Sequence, residues 1–355
     1  MRVLVIGGSR TPDESGFDPW LQLQIDSLRR AGVYVDSFVV QRGERGKYAR
    51  AVPRLRAVLA RQAYDVVHAH YGYAGIVAAL QRRVPSVVTF HGDDLLGTPD
   101  ASGRATSWSR LWVQIHRRMA AHVDAVIAVS EEMARVLDRR DVHVIPCGVD
   151  TELFVPRARD DARRRLGWDT TRRYVLFAAN PAFPRKCFPV ARAAVDLLNR
   201  SRPDPIELVC THSQPRAVVP YEEVPWYMAA ADALAVTAYW EGGPVVVKEA
   251  MACNLPIVSA DVGDVRRVIG DTGDCHIVAR DPGAVATALA AVLDPPRRTN
   301  GRARAELVAL PRIAERLIAV YEAVLRSHQT VRAPAVGDQS HPVSARATGA
   351  ATEPG

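Results

Sequence analysis

Short apolar runs alternate with longer amphipathic stretches along the first 150 residues. A short apolar run is typical of a buried strand, whereas apolar residues three and four positions apart are typical of a helix that covers a sheet. These patterns predict strands over residues 2–6, 33–40, 64–68, 86–90, 125–129 and 142–146, separated by helices over 20–31, 51–62, 73–82, 108–121 and 131–139. Strands and helices in alternation indicate βαβ units built on a parallel sheet.

The same alternation begins again after a polar, arginine-rich stretch at 157–166. It predicts further strands over residues 174–179, 206–210, 233–237, 257–260 and 276–279. We therefore predict an α/β protein with two doubly wound domains, residues 1–150 and 151–309, then an amphipathic helix over 310–327 and a disordered tail at 328–355, which lacks periodic apolar residues. Such sheets bind ligands at the carboxyl ends of their strands, so we expect the site in a cleft between the domains.

Composition limits the class of protein. A chain of 355 residues with 48% hydrophobic and 24% charged residues forms packed domains, and is neither a disordered chain nor a small disulfide-stabilised protein. Its five cysteines include no CxxC pair, the N-terminus lacks a signal-peptide core, and no apolar run approaches the about 20 residues that cross a membrane. We therefore expect a cytoplasmic protein.

The net charge of +7 is divided evenly between the two predicted domains. Residues 1–150 contain 20 Lys and Arg against 16 Asp and Glu, and the remaining residues contain 26 against 23. Because nucleic-acid-binding proteins concentrate basic residues on one arm or helix, this distribution argues against a nucleic-acid partner. A diffuse attraction to the phosphates of nucleotides or lipids stays open.

Residues 239–263 combine several signals for a ligand site, and read Y-W-E-G-G-P-V-V-V-K-E-A-M-A-C-N-L-P-I-V-S-A-D-V-G. Two glycines form a tight loop, Pro244 suits the first helical position, and a short helix over 245–253 follows, whose free N–H groups can bind phosphate. Glu241 lies before this helix and Glu249 lies eight residues later within it, so both carboxylates can meet one elongated ligand. The alternative is that Glu241 caps the helix and Glu249 lies on a solvated face.

This segment resembles the retaining glycosyltransferases of family 4, whose two-domain architecture is called GT-B. The residues that match the family pattern are Glu241, Gly242, Pro244, Glu249, Ala250, Met251, Ala252, Cys253, Leu255 and Pro256. Asn254 replaces the usual Gly, and Asn is the next most tolerant residue in the left-handed region. The resemblance implies that Glu241 contacts the donor sugar and that Glu249 contacts the ribose of the nucleotide.

Further matches extend the resemblance over about residues 1–326. They are the segments 145–154, where Cys147 takes the place of the family's Asn, 231–232, 65–70 and 89–93. Together they imply two Rossmann-like domains that face each other across a cleft, with the acceptor on the N-terminal side, the nucleotide-sugar donor on the C-terminal side, and a last helix that crosses back to the N-terminal domain.

The segment 180–186, N-P-A-F-P-R-K, occupies the place of the family's Gly-Arg-Leu loop and Lys. Asn180 aligns with the family's Arg, so the contact with the pyrophosphate is either lost or made by Arg185, whereas Lys186 keeps its place. Only three of the 46 basic residues are lysine, and Lys186 and Lys248 both fall near the proposed phosphate site, together with Gly243 at the helix start. The alternative is that both lysines are surface charges.

Two residues of the N-terminal half resemble family positions near the donor sugar. His91 ends a strand at the cleft, and Gly16, in the first βα loop, matches a glycine where the backbone approaches donor and acceptor. The alternatives are a hydrogen-bonded loop histidine and a flexible loop glycine. A metal site could also be considered from His68, His70, His91 and Asp93. Their spacing matches no closed ligand pattern, so we expect no metal.

An apolar stripe runs along the predicted helix 108–121, formed by Trp108, Leu111, Trp112, Ile115 and Met119 with basic residues beside it. It is either core, which we favour, or a membrane-surface face that receives a lipid-linked acceptor.

The resemblance implies a hexosyltransferase-type enzyme that moves a sugar from a nucleotide-diphosphate donor to a sugar or lipid-linked hydroxyl acceptor with retention, in glycan, exopolysaccharide or glycolipid biosynthesis. Glu241 and His91 are the expected catalytic residues, no cofactor is expected, and a peripheral membrane contact at the inner face of the membrane is compatible with the acceptor. Two alternatives stay open, a noncatalytic nucleotide-sugar-binding protein and a sugar-nucleotide 2-epimerase.

Overall fold

The computed structural model describes residues 1–9, 16–41, 46–100, 102–212 and 218–332. The elements of its N-terminal half are β1 (Arg2–Gly8), α1 (Pro19–Arg30), β2 (Tyr34–Val40), α2 (Lys47–Arg61), β3 (Val66–His70), α3 (Gly72–Gln81), β4 (Ser86–Phe90), α4 (Asp93–Leu96), α5 (Ser107–Ala120), β5 (Ala125–Ala128), α6 (Glu131–Val136) and β6 (Val142–Val144). The strands form one parallel sheet in the order β2-β1-β3-β4-β5-β6.

The C-terminal half repeats this architecture with a second parallel sheet. Its elements are α7 (Arg159–Leu166), β7 (Arg173–Phe177), α8 (Phe188–Asn199), β8 (Ile206–Cys210), α9 (Val224–Ala230), β9 (Ala233–Val236), α10 (Val245–Ala252), β10 (Ile257–Ala260), α11 (Val265–Ile269), β11 (Cys275–Val278), α12 (Pro282–Leu293), α13 (Arg302–Ala305) and α14 (Leu310–Arg332). The order of the strands is β11-β10-β9-β7-β8.

Burial explains why the central strands are mostly apolar. Every residue of β3, β4, β5, β9 and β10 is buried, as expected for parallel strands covered on both faces. Right-handed crossovers place α2, α3 and α5 on one face of the N-terminal sheet, where Leu55, Val77 and Met119 enter the core, and α1 on the other face.

The last helix, α14, crosses from the C-terminal half back to the N-terminal half. Ile313, Leu317 and Tyr321 are buried in one core with Ile25 of α1. The Tyr321 hydroxyl lies 2.6 Å from His68 Nδ1 on β3, so the helix is joined to the sheet by a polar contact as well as by packing.

Helix α14 is longer than the periodicity predicts. It continues to Arg332, so the prediction of disorder is wrong for residues 328–332, and residues 333–355 lie outside the described residues. Polar contacts support the extra turn: His328 Nε2 lies 2.6 Å from Asp124 Oδ1, and the Thr330 hydroxyl donates to the Arg326 carbonyl at 3.0 Å. The spacing of apolar residues cannot predict such polar contacts.

Most predicted elements lie within two residues of their observed bounds, with informative exceptions. Strand β3 is displaced by two residues towards the C-terminus, because Ala69 and His70 extend it and His70 is polar in type but buried. Helix α2 begins at Lys47 rather than at 51, and it contains Pro53. The predicted boundary at residues 150 and 151 falls between the two sheets and stays a prediction.

Candidate functional site

The candidate site lies where the strand order of each sheet reverses. In the C-terminal sheet β7 and β9 are neighbours, and the segments that leave them diverge and open a crevice at the carboxyl edge. Arg185 and Lys186 follow β7, and Glu241 follows β9. Residues after β1, β3 and β4 of the other sheet, Trp20, Tyr71 and His91 respectively, complete the lining of one cavity of about 270 Å³.

Two glycines allow the two halves to approach each other beside this cavity. A Cβ on Gly242 would collide with the carbonyl oxygen of His91, and a Cβ on Gly92 would lie 3.2 Å from the Gly242 nitrogen. Gly92 also has φ +154°, which side chains rarely adopt. Nearby, the indole nitrogen of Trp240 donates to the Gly97 carbonyl at 3.0 Å across the same junction.

Glu241 is the centre of an ion-pair cluster in the cavity. Its side chain is 8% exposed; Lys186 Nζ lies 2.6 Å from Oε1, and Arg185 Nη1 bonds to Oε2. Arg185 Nε also lies 3.1 Å from Asp93 Oδ1, so Arg185 bridges the two halves. Burial alone would raise the pKa of Glu241, but Lys186 and Arg185 hold it below its usual value, which keeps the carboxylate ionised.

The turn that carries Arg185 and Lys186 is fixed by the segment after β9. The Tyr239 N–H donates to the Arg185 carbonyl at 2.8 Å, and the Thr237 hydroxyl donates to the carbonyls of Lys186 and Cys187 at 3.2 and 3.0 Å. Asn180 lies at the start of the loop, where its side-chain oxygen accepts from the Ala182 N–H at 2.9 Å. The cations in the cavity are therefore Arg185 and Lys186, and Asn180 shapes the turn.

Helix α10 begins beside the cavity, which Gly243, Pro244 and Val245 help to line. Pro244 precedes the first helical residue rather than occupying it, and no side chain caps the helix, so Glu241 is not a cap. The interpretation of Lys248 as a surface charge or a phosphate ligand is wrong, because its side chain is fully buried and its Nζ lies 2.9 Å from Asp264 Oδ1.

Glu249 is buried behind the helix start, so the alternative of a solvated face residue is wrong. The Tyr221 hydroxyl donates to its Oε1 at 2.5 Å. Burial raises the pKa of Glu249 to about 7, and the Tyr221 bond opposes this shift only in part. The carboxylate is not among the residues that line the cavity.

His91 lies in an aromatic and histidine cluster at the N-terminal side of the cavity. Its Nε2 lies 2.9 Å from His70 Nδ1, its Nδ1 lies 3.7 Å from Cys147 Sγ, and its ring centroid lies 4.8 Å from that of Trp20. Burial lowers the pKa of His91 to about 3, so the ring is neutral near pH 7. It can orient a ligand by hydrogen bonding but carries no charge.

The histidines do not form the metal set considered from the sequence. His68 uses both ring nitrogens, one on Tyr321 and the other on Thr89 Oγ1 at 2.7 Å. Within the described ranges, no group of three or more His, Cys, Asp or Glu is placed to hold a metal ion.

The sequence of this chain matches known glycosyltransferases. Residues 2–153 match the family model described as Glycosyltransferase Family 4, and residues 207–295 match Glycosyl transferases group 1. The D-inositol 3-phosphate glycosyltransferase of Xylanimonas cellulosilytica is 30% identical over 327 residues, which cover 77% of this chain and 73% of that relative. The chain belongs to glycosyltransferase family 4.

Another relative and a solved structure are also similar to this chain. TuaC of Bacillus subtilis, named for teichuronic acid biosynthesis, is 27% identical over 66% of this chain and 63% of its own length. Sucrose-phosphate synthase from Thermosynechococcus elongatus superposes with a TM-score of 0.78 at 19% identity, over 92% of this chain and 99% of that one. The predicted GT-B fold and the predicted class, a hexosyltransferase-type glycosyltransferase of glycan biosynthesis, are confirmed.

Of the site residues that the family resemblance implies, the structure gathers Glu241, Arg185, Lys186, His91 and Gly243 around one cavity. Glu249 lies close behind it, on the same helix α10. Gly16 is exposed, and among the described residues no atom beyond its chain neighbours lies within 4 Å of a Cβ placed on it, so its role stays a prediction.

The sequence analysis missed three aromatic residues of the candidate site: Trp20, Tyr71 and Tyr221. Trp20 could have been found, because it begins the helix after β1 and therefore lies at the carboxyl edge of the sheet. Tyr71 follows β3 in the same way, with φ +70°. Tyr221 gave no signal, since it is 28 residues from Glu249 in the chain and meets it only in the fold.

No helix in the described part of this family member is both long and apolar enough to cross a bilayer.

Proposed function

We propose that this chain is a retaining glycosyltransferase that moves a sugar from a nucleoside diphosphate to a hydroxyl group of an acceptor. The observation that carries the proposal is the cluster of Glu241, Lys186 and Arg185 at one switch point, which faces His91 and Asp93 across the cavity. Carboxylate, cations and neutral histidine are the groups that glycosyl transfer from a diphosphate needs at one place.

The donor is proposed to bind on the C-terminal side. A diphosphate would draw Lys186 and Arg185 away from their carboxylate partners, and its oxygens would also face the N–H groups at the start of α10. Glu249 would accept a hydrogen bond from a ribose hydroxyl. In support, HepE of Anabaena, which superposes with a TM-score of 0.66 at 17% identity over 91% of this chain and all of its own, was solved with UDP and glucose.

The transition state carries positive charge on the sugar ring and negative charge on the leaving diphosphate. Lys186 and Arg185 stabilise the leaving group, since both cations already line the cavity before the donor binds. Glu241 and His91 orient the sugar. The acceptor oxygen attacks from the face that the phosphate leaves, and its proton passes to the departing phosphate oxygen as the bond between that oxygen and the sugar breaks. This route accounts for retention without a protein nucleophile.

The acceptor is proposed to bind in a second cavity, of about 520 Å³, on the N-terminal side. This cavity shares Tyr71 and Asp93 with the first and has aromatic walls that include Tyr73 and Trp112. Trp112 Nε1 and His116 Nε2 are buried there without a hydrogen-bond partner among the described residues. Aromatic faces beside unused polar atoms suit a hydroxyl-rich ring.

The noncatalytic alternative is motivated by Asn180, which replaces a family arginine. Arg185 supplies a guanidinium group in the cavity instead, so we favour the enzyme. The expected cytoplasmic location at the inner face of the membrane, with a lipid-linked acceptor, belongs to the same proposal.

Thermal unfolding with a panel of donors tests the proposal. One of the UDP-, GDP- or ADP-sugars is expected to raise the melting temperature, because a ligand that binds only the folded state stabilises it. The Lys186→Gln variant should lose most of this shift, whereas Lys47→Gln, on α2 of the other half, should keep it. No shift with any donor would contradict a donor site here.

Replacing Glu249 by Gln should stabilise the ligand-free protein and weaken nucleotide binding. The pKa of Glu249 is about 7 in the folded state, against the ordinary value of 4.5 that applies in the unfolded state. Ionising the buried carboxylate therefore costs up to about 3 kcal/mol of stability. That cost is absent below pH 4.5, grows as the pH rises towards 7, and is complete above it. The variant should therefore exceed the wild type in stability at pH 8 but hardly at pH 4.5, by urea unfolding.

Calorimetry on the same variant should show a loss of about 1 to 3 kcal/mol in affinity for the nucleoside diphosphate, because a charged hydrogen bond to ribose disappears. Glu315→Gln, an exposed position on α14, is the control. Unchanged affinity, or a stability difference that does not depend on pH, would refute the role of Glu249.

Turnover is expected to need no divalent metal. Lys186, Arg185 and the first turn of α10 already place positive charge where the diphosphate leaves. Initial rates should be the same before and after treatment with EDTA. Activity that EDTA abolishes and magnesium or manganese restores would show that the cations of the protein are insufficient.

A further inference from the structure

One face of the N-terminal half is strongly basic. Helices α2 and α5, with the two residues after α3, carry ten basic side chains: Lys47, Arg50, Arg54, Arg56, Arg61, Arg82, Arg83, Arg110, Arg117 and Arg118. Neither these helices nor α3 between them contains an Asp or Glu. None of the 16 acidic residues of the first 150 belongs to these helices, so the even division of charge between the halves conceals a concentration of basic residues on them.

Most of these charges are not neutralised by neighbours. Arg54, Arg61, Arg110 and Arg118 are exposed, and across the described ranges none has a carboxylate oxygen within 4.0 Å. Arg117 differs, since its Nη2 lies 2.7 Å from Asp138. The face therefore presents a positive potential to solvent.

Large apolar side chains stand among these arginines. Trp108 and Leu111 of α5 are 66% and 51% exposed, and Leu80 at the end of α3 is 44% exposed. The prediction that the stripe of α5 is core is thus wrong for Trp108 and Leu111, although Met119 of the same helix is buried. Trp108 and Leu111, three residues apart, lie on the side of the helix that turns away from the sheet.

The exposed tryptophan also borders the proposed acceptor cavity. Trp108 lines that cavity together with Trp112, one turn further along α5. A molecule that enters from the basic face would meet these indole rings first. The face and the cavity are therefore continuous.

We propose that the basic face, defined as the outer surface of α2, α3 and α5 with Leu80, Trp108 and Leu111, docks on an anionic lipid bilayer. Arginines beside exposed Trp and Leu are typical of a protein surface that lies in the interface of a bilayer. There the apolar side chains enter the boundary of the acyl chains, and the cations contact the lipid phosphates. A nucleic acid would satisfy the arginines but would leave three apolar side chains without a partner. Docking would bring a lipid-linked acceptor to the cavity, a consequence that rests on the proposed function.

Co-sedimentation of the full chain with vesicles tests the docking. Binding is expected to vesicles of phosphatidylcholine with phosphatidylglycerol, to be weak on phosphatidylcholine alone, and to fall as salt is raised, since exposed charges are screened. Replacing Arg110 and Arg118 together by Gln should lower the partition coefficient by more than about tenfold, because each basic residue near the surface contributes about 1 kcal/mol. Leu111→Ser should lower it on vesicles of either composition.

Matched controls come from α8 and the residue that follows it in the other half. Arg192 and Arg200 have the same spacing of eight residues and are exposed, so replacing both by Gln should leave vesicle binding unchanged. Leu197→Ser, at a position 37% exposed, is the control for Leu111→Ser. If the arginine variant of α8 lost as much vesicle binding as the variant of Arg110 and Arg118, the effect would be one of overall charge and the assignment of the face would be overturned.

The melting-temperature shift with nucleotide-sugars separates this proposal from the proposed function. The Arg110 and Arg118 variant should keep the donor shift while it loses vesicle binding. A wild-type chain that shows the donor shift but does not bind anionic vesicles would overturn the docking alone. Binding of a DNA duplex instead of vesicles, with the same dependence on Arg110 and Arg118, would assign the face to nucleic acid.

Discussion

Glu241→Gln is expected to lower kcat/KM for sugar transfer by about 10² to 10³, with the fold retained. The neutral amide cannot hold Lys186 and Arg185 at their present positions, and it loses the negative charge that would face the sugar as positive charge develops on the ring. Steady-state rates with the donor found by thermal shift measure the loss.

The control for this variant is Glu306→Gln, because Glu306 is also paired with an arginine, Arg302 at 3.0 Å, but lies outside the cavity. That variant should turn over at the wild-type rate. Equal rates for Glu241→Gln and the wild type would remove Glu241 from the mechanism, whereas a lost melting transition would show that the residue is needed for folding instead.

Removing residues 310–355 is expected to abolish folding and activity, whereas removing 333–355 should leave both intact. The first deletion takes away the buried side chains of Ile313, Leu317 and Tyr321 and exposes Ile25 beneath them. Each such side chain stabilises the fold by about 1.5 to 3 kcal/mol, so the set approaches the about 5 to 15 kcal/mol of a whole domain. Melting temperature and initial rate of both truncations measure the outcome.

A milder variant keeps the helix and removes one contact. Tyr321→Phe loses the hydroxyl that lies 2.6 Å from His68, which should cost about 1 kcal/mol or more because His68 Nδ1 is then left buried without a partner. Tyr34→Phe, at a side chain that is 76% exposed, should change nothing.

A fully active protein without residues 310–332 would refute the crossover role.

The fold could be predicted from the sequence because its parallel strands are buried on both faces. Strands such as β4 and β10 are apolar at most positions, so short apolar runs marked them at their observed bounds. Glu241 and Gly243 were found because they belong to a continuous motif, and Lys186 was found because it keeps its place in a loop of the family. Asn254 has φ +54°, the left-handed conformation that its substitution for Gly predicts.

Properties that depend on contacts between distant segments could not be predicted. Whether Lys248 is a surface cation or a buried one is decided by Asp264, sixteen residues away. The pKa of Glu249 is set by its burial and by Tyr221. The basic face was hidden for a similar reason, since its arginines come from separate helices that only the sheet brings side by side.

The configuration of the product tests the central claim most directly. Proton NMR of the reaction, with a donor whose sugar has the α configuration, reports the anomeric coupling of the first product before it can equilibrate. The account predicts release of a nucleoside diphosphate together with an α-linked product, and neither signal with Glu241→Gln. A β-linked first product, or diphosphate released equally by the variant, would contradict retaining transfer at this site.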